Sequence, residues 1–504
     1  MPADVLGGGE LTAEPLELIG LILACAAAAT ALVAPDQRLR LAAMVLALAV
    51  APVLVLGDVW DQSRVVAFRE SPPQVGGALA VGAVAIPALA LCFRRFPDAF
   101  AVASVAVLAL RVPVDVGGET ANLLVPLYVV IAGGVGARVL ARQAPADRPR
   151  VGGAPTVLRL ALAATLVLYA VQASYSEDVS NAIENVGFFL VPFAILAALL
   201  LDVDWSRRVS GRVLVAIAVL AALVAGVGIG QWLARDLFLN PELYDANQLH
   251  SYFRVNSVFF DPNIFGRYLA LAIVALAAYL VWGAPPRPAL LAAATAVIAL
   301  IGLAFSFSIT SFGALLAGLG IVAVLRWGWR GAAVTAALGG VGLAVLLVAG
   351  GTPTSDIQSD RSIDSGRTSL IEGGLELAND RPLAGWGSGS FGAVFYERIE
   401  PARTTVSHSE PITVAAEQGA IGVAVYLAVV ISALLTLLGG GASRSLSRSA
   451  VAACFVAMLV HSLGYAGFVI DPATWALLGL GIALRASPSG EGPTTTRGVP
   501  PAPA

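Results

Sequence analysis

The 504-residue chain contains only three histidines, His250, His408 and His461, and histidine is the side chain best suited to take a proton near neutral pH. Each falls near one end of an apolar run. His408 has the richest surroundings: Ser407-His408-Ser409-Glu410-Pro411 closes a long polar stretch, and Glu417-Gln418-Gly419-Ala-Ile-Gly422 follows inside the next run. Arginines gather at similar boundaries. Arg254, Asn256, Asp261, Asn263 and Arg267 cluster just before and within one run, and Arg367 opens the stretch Arg367-Thr-Ser-Leu-Ile-Glu372-Gly-Gly-Leu-Glu376. A guanidinium presents a planar fork of donors that matches anionic oxygens such as those of phosphate. A neutral His408 could accept the proton of a hydroxyl, a general-base gain of roughly 10²–10⁴ in rate. Plainer readings stand beside these. Asp261-Pro262-Asn263 also reads as a helix start with a capping carboxylate and a first-turn proline, and the arginines as side chains snorkelling to headgroups.

Other chemistries fit less well. Arg381-Pro-Leu-Ala-Gly385-Trp386-Gly387-Ser-Gly389-Ser-Phe391 is glycine-rich, but no strand precedes it and no Walker lysine follows, so its glycines read as tight backbone turns rather than a nucleotide cradle. Asp202-Val-Asp204 has the Asp-x-Asp spacing of some metal-dependent transferases, yet it sits among arginines and reads as a solvated interfacial pair. Cys25, Cys92 and Cys454 are dispersed through apolar runs, against both a disulfide framework and a zinc site. A Ser-His-Asp hydrolase lacks its Gly-x-Ser-x-Gly elbow. No metal ligand set and no cofactor is therefore expected.

The elements that must position these residues are membrane helices. The chain is 58% hydrophobic and only 12% charged, with a mean hydropathy of +0.83, where a soluble domain is charged at roughly a quarter of its positions. A net charge of −3 argues against nucleic-acid binding. Apolar runs of about 17–22 residues recur from Pro15 to Leu484, each long enough to cross roughly 30 Å of hydrocarbon. The expected fold is all-α, a polytopic integral membrane protein of about 14–15 transmembrane helices with one long outward-facing loop. There is no lysine, and arginines concentrate in alternate connections: Arg38/Arg40, Arg94/Arg95, Arg138/Arg142/Arg148/Arg150, Arg207/Arg208/Arg212, Arg287, Arg326/Arg330, Arg444/Arg448 and Arg485. Cytoplasmic loops are the arginine-rich ones, which puts the N-terminus outside, the C-terminus inside and His408 outward.

The domain reading follows. Residues 1–210 hold N-terminal transmembrane helices, and 211–350 central ones with an outward loop at 233–261. Residues 351–410 form the long outward loop, with Thr368–Asn379 helix-compatible, and are expected to fold against the membrane's outer face. Residues 411–485 hold the C-terminal helices and 486–504 a Pro-, Thr- and Gly-rich cytoplasmic tail that reads as disordered.

The order of these stretches resembles the O-antigen ligase and polymerase superfamily: a long outward loop opening on an arginine helix, the Arg381–Phe391 stretch, a histidine shortly before the next span, then Glu417-x-Gly-x-x-Gly422. Asn256-Ser-Val-Phe-Phe-Asp-Pro-Asn263 before a span is similar to another recurrent family stretch. The resemblance covers roughly residues 210–485. It implies a glycosyltransferase that moves a glycan from a polyprenyl (undecaprenyl) diphosphate carrier to a glycan, lipid or protein acceptor hydroxyl, on the outer face of the inner (plasma) membrane, without nucleotide or metal. By position it makes His408 the base or acceptor-orienting group and Arg367 a diphosphate ligand. The family's Ser-Arg-Gly at an earlier span reads Ser311-Phe312-Gly313 here, so Arg254, Arg267 or Arg361 is expected to replace the missing arginine, with Asn263 and Glu417 in support. Ser409 stands where the family usually has asparagine. Two other classes remain open: a transporter or flippase of a polysaccharide precursor, expected to carry ionisable residues deep inside its spans, and a non-catalytic envelope assembly partner, in which His408 and Arg367 would be replaceable.

Overall fold

The computed structural model describes residues 15–486, except 61–64, 67–68, 111, 117–118, 142–151, 238–242, 245–246, 248–251, 350–366 and 400–405; at 74, 78, 112–123, 338, 341–349 and 367 it describes backbone only. The tail expected to be disordered, His250 and Arg361 thus lie outside the described residues.

The apolar runs are helical for the reason lipid demands: with no water to bond N–H and C=O groups, each segment must satisfy its own backbone. In chain order the helices are α1 (Pro15–Val33), α2 (Gln37–Asp58), α3 (Pro72–Arg95), α4 (Pro97–Ala106), α5 (Val125–Ala141), α6 (Ala154–Ala173), α7 (Val179–Leu200, with a π-helical turn at Asn185–Leu190) and α8 (Arg207–Ala234). They continue as α9 (Pro262–Val281), α10 (Pro286–Ser306), α11 (Ile309–Trp327), α12 (Trp329–Ala349), α13 (Arg367–Asp380), α14 (Phe391–Arg398), α15 (Glu410–Leu438), α16 (Leu446–Ser462) and α17 (Pro472–Ala486). Among the described residues ten helices are long and apolar enough to cross a membrane, and the segments 97–109, 125–141, 446–462 and 472–486 are shorter apolar helices. Large apolar side chains such as Leu290 and Leu291 stay 72% and 70% exposed on α10, as expected of a face turned to lipid.

The all-α reading holds, with one addition. Val112–Val116 and Glu119–Leu123 pair as an antiparallel hairpin, Val114 opposite Ala121. The shorter apolar helix over 97–109 ends just before this hairpin. Pro113 removes a backbone donor and disfavours helix at the residue before it.

Two hydrophobic cores share α16. One is built from α1, α2, α5, α6, α7, α15 and α17, and includes Val451, Phe455 and Met458. The other joins α8–α11 and includes Ala453 and Cys454 from the opposite side of α16. The reading of Asp202 as a solvated pair is corrected: its side chain is only 9% exposed, and it accepts from Arg40 Nη2 at 2.9 Å and Arg138 Nη1 at 2.6 Å. A carboxylate flanked by two guanidiniums can leave water because each charge is paired, and this one ties the end of α7 to α2 and α5.

Candidate functional site

At the end of the bundle where α15 begins, His408 is half-buried in a backbone clamped on both sides. Ser407 Oγ donates to the Ser409 carbonyl at 2.8 Å and lies 3.0 Å from Thr413 Oγ1, while the Ser409 amide donates back to Ser407 Oγ at 3.1 Å. The clamp holds His408 at φ +60°, a left-handed conformation that few non-glycine residues adopt. Among the described residues the other non-glycine positive-φ residues, Arg235, Ser257 and Phe307, lie at the same end of the bundle. Such strain concentrates where surrounding structure holds a site in place.

Facing His408 is the loop between α16 and α17. The Tyr465 ring lies 6.4 Å from the His408 ring and 5.5 Å from that of His461, with the Arg267 guanidinium carbon 5.9 Å from its centre. Tyr465 Oη donates to Asp261 Oδ2 at 3.1 Å. Burial first, then the adjacent Asp261 carboxylate, pushes this hydroxyl well above the ordinary tyrosine range, so it acts as a donor and not a phenolate.

Asp261 is the N-cap of α9, its Oδ1 accepting from the Asn263 amide, and Pro262 occupies the first turn, as the sequence indicated. Asn263 Oδ1 accepts from Ser308 Oγ at 2.8 Å and from Arg254 Nη2 at 3.5 Å, and Arg254 Nε donates to the Ser306 carbonyl at 3.1 Å. Ser308 Oγ lies 3.2 Å from Thr310 Oγ1, which lies 3.4 Å from His461 Nε2. Arg254, Asn263, Arg267 and His408 therefore belong to one continuous run of contacts through Tyr465 and His461. Arg267 is not a snorkelling side chain: it is 5% exposed and its guanidinium pairs with Asp471. Asn256 is fully buried and structural, bonding Gln231 and the Phe260 carbonyl inside the second core.

Two cavities border this cluster. The larger, about 510 Å³, runs between α8, α9, α16 and α17, from Phe259, Arg267 and Asp471 at the His408 end to Arg207, Trp282 and Arg444 at the other. Its walls are mostly aliphatic, among them Leu214, Ile217, Leu271 and Leu477. The smaller, about 270 Å³, lies between α6, α7, α15 and α17 and mixes an apolar floor of Leu162, Phe189 and Val429 with Asn181, Asn185, Thr413 and Glu417.

Glu417 lies apart from the His408 cluster. Its carboxylate accepts from the Gly389 amide at 2.9 Å and the Phe391 amide at 3.2 Å, and its carbonyl from Gly387 at 2.8 Å. The glycine-rich segment thus binds its own helix and has no amides arranged for phosphate. Its glycines are needed for approach: a Cβ on Gly387, at φ +99°, would lie 2.3 Å from Ser176 Cα, and one on Gly385 the same distance from the Glu417 backbone. Gly419, at φ +62°, breaks α15, and the amides of Ala420 and Ile421 bond the carbonyls of Pro382 and Leu383. Arg367 is the first residue of α13, whose observed span Arg367–Asp380 closely matches the helix-compatible stretch; its side chain lies outside the described residues. Tyr465, Ser308 and Asp471 carried no motif. The nearest sequence signal was His461, one of the three histidines and four residues before Tyr465.

Fold and site together define a polytopic helical membrane protein with a histidine–arginine cluster at one end of its bundle. Residues 294–427 match the family model described as O-antigen ligase, in agreement with the resemblance read from the motifs. The match contains His408, Arg367 and Glu417; Arg254, Asn263, Arg267 and Tyr465 lie outside it. No curated protein matches the chain.

Proposed function

We propose that the protein is a glycosyltransferase that takes a glycan from a polyprenyl diphosphate carrier and passes it to an acceptor hydroxyl on the outer face of the cytoplasmic membrane. The observation that carries this reading is that His408, inside the matched segment, lies in the same run of contacts as Arg254 and Arg267, and that Arg267 lines the head of a largely aliphatic cavity. An isoprenoid chain suits that cavity, leaving its diphosphate near the arginines. His408 accepts the proton of the acceptor hydroxyl as that oxygen attacks the sugar carbon, and the carrier diphosphate departs with the bonding pair. Arg254 is best placed to replace the arginine absent at Phe312, because its guanidinium bonds the carbonyl of Ser306 just ahead of the α11 cap. Arg267 joins it if a phosphate competes for the charge now held by Asp471. Arg367, at the start of α13, completes the set. The reaction as read uses side chains alone, with no cofactor. The alternating arginine pattern supports an outward site.

The test is transfer by purified protein in detergent, with a polyprenyl-diphosphate glycan and candidate acceptors, comparing wild type with His408→Ala and Arg367→Ala. Folded but silent variants support the roles, and a carrier-linked ladder marks a polymerase whereas a single acceptor shift marks a ligase. Release of no carrier diphosphate by wild type with any donor overturns the reading in favour of a transporter or an assembly partner.

A further inference from the structure

The loop of residues 463–471 lies outside the matched segment, yet it is tied to the cluster at three points. The Glu410 carboxylate, two residues beyond His408, accepts from three successive amides of this loop: Gly467 at 2.6 Å, Phe468 at 2.9 Å and Val469 at 3.2 Å. Tyr465 Oη reaches the Asp261 carboxylate, and Asp471 closes the loop on Arg267. A buried carboxylate accepting three backbone donors is a strong, direction-specific tie. It fixes the loop to the very turn that carries His408.

The loop also stands between the two cavities. Ile470 and Thr474 line the smaller one, whereas their neighbours Asp471 and Ala473 line the larger, so α17 presents opposite faces to the two spaces. A transferase has to bring two substrates together at one point. The element dividing the cavities is where the catalytic groups must be aligned.

The clamp around Ser407 and Ser409 fixes the His408 backbone, and the imidazole lies with its ring centre 6.4 Å from that of Tyr465. The Tyr465 ring is the aromatic surface beside it. A ring packed for bulk alone has no need of its hydroxyl in the α9 cap; here that hydroxyl joins the histidine side of the cluster to the helix carrying Asn263 and Arg267.

Resting on the transferase reading, we propose that Tyr465 is a positioning residue of the transfer site: its ring seats the His408 imidazole, and its hydroxyl sets α9, with Asn263 and Arg267, in register with it. Misplacing a catalytic group by about 1 Å costs on the order of 10²-fold in rate. Tyr465→Leu is therefore expected to lower kcat roughly a hundredfold with donor KM within about threefold of wild type, and Tyr465→Phe, which keeps the ring, to recover to within about tenfold.

The experiment measures transfer in detergent for wild type, His408→Ala and both Tyr465 variants. It also follows the His408 imidazole by NMR in histidine-labelled protein, assigned by the signal that His408→Ala removes. The His408 signal should move in Tyr465→Leu and stay near its wild-type position in Tyr465→Phe. Full kcat in Tyr465→Leu, equal loss in both variants, or a hundredfold loss in a folded Tyr465→Phe would each overturn the proposal, and the last decides it if the leucine variant does not fold. Should wild type transfer nothing, the transferase reading falls by itself. An unmoved His408 signal in Tyr465→Leu would then overturn the positioning separately.

Discussion

Two polar regions close the same end of the bundle, and they use their hydrogen bonds in opposite ways. The glycine-rich segment 381–391 turns its polar groups inward on the protein. Besides the Glu417 bonds, Gln172 Nε2 donates to the Ala384 carbonyl at 3.1 Å, Ser176 Oγ to the Ser388 carbonyl at 2.9 Å and Asn181 Nδ2 to the Gly389 carbonyl at 2.6 Å. Arg381 and Arg398 stack on the Trp386 indole with their guanidinium carbons 3.7 Å and 4.2 Å from its centre. This region is a splice joining the long loop to α6, α7 and the broken α15. The His408–Tyr465–Arg267 region instead gathers two histidines, two arginines and three carboxylates, with Arg267 and Asp471 lining the larger cavity and Glu410 the smaller. A motif rich in polar and glycine residues can therefore serve architecture, while the residues proposed for the chemistry are a sparse set scattered along the chain.

The comparison breaks most sharply at His408. His408→Ala should reduce transfer by roughly 10²–10⁴-fold with an unchanged melting temperature; a variant that transfers normally would place the chemistry elsewhere. On the other side, Gly387→Ala should destabilise the fold by about 3 kcal/mol, because its Cβ meets the Ser176 backbone and its φ disfavours an L-residue. A wild-type thermal melt would show that the splice is not as tight as drawn. Arg254→Ala should raise the donor KM roughly 10–100-fold, the worth of a charge-assisted bond to phosphate, and lower stability by about 1 kcal/mol as the buried Ser306 carbonyl loses its donor. Glu417→Gln should act the other way, lowering stability by about 1–3 kcal/mol as one backbone donor loses its acceptor, with activity falling only as folded protein is lost. The smallest effect is expected at the opposite end. Arg212 pairs with Asp98 at 2.8 Å, but its side chain is 47% exposed, so Arg212→Ala should change neither transfer nor stability by more than about 0.5 kcal/mol.

Much of this was legible along the chain. Asp261-Pro262 announced the cap of α9, the helix beginning at Arg367 was visible in its residues, and the glycines of 385–389 read as turns, because caps, turns and helix starts are decided within a few residues. The pairings were not. Asp471 reaches Arg267 and Tyr465 reaches Asp261 across 204 residues, and Asp202 reaches Arg40 across 162. Sequence spacing carries no trace of such contacts, so Asp202 looked solvated and Arg267 looked free to snorkel.

Composition and apolar run length determined that the chain is a helical membrane protein, since hydrocarbon admits only segments that satisfy their own backbone. Short motifs pointed to the family whose model residues 294–427 match, and to His408 as the histidine to weigh. Only the tertiary structure decided which charges are already paired, that the glycine-rich stretch is a splice, and that Tyr465 stands beside His408. The reason is physical: a buried charge or hydroxyl acquires its role from its nearest neighbours in space, and in a bundle of long helices those neighbours come from distant parts of the chain.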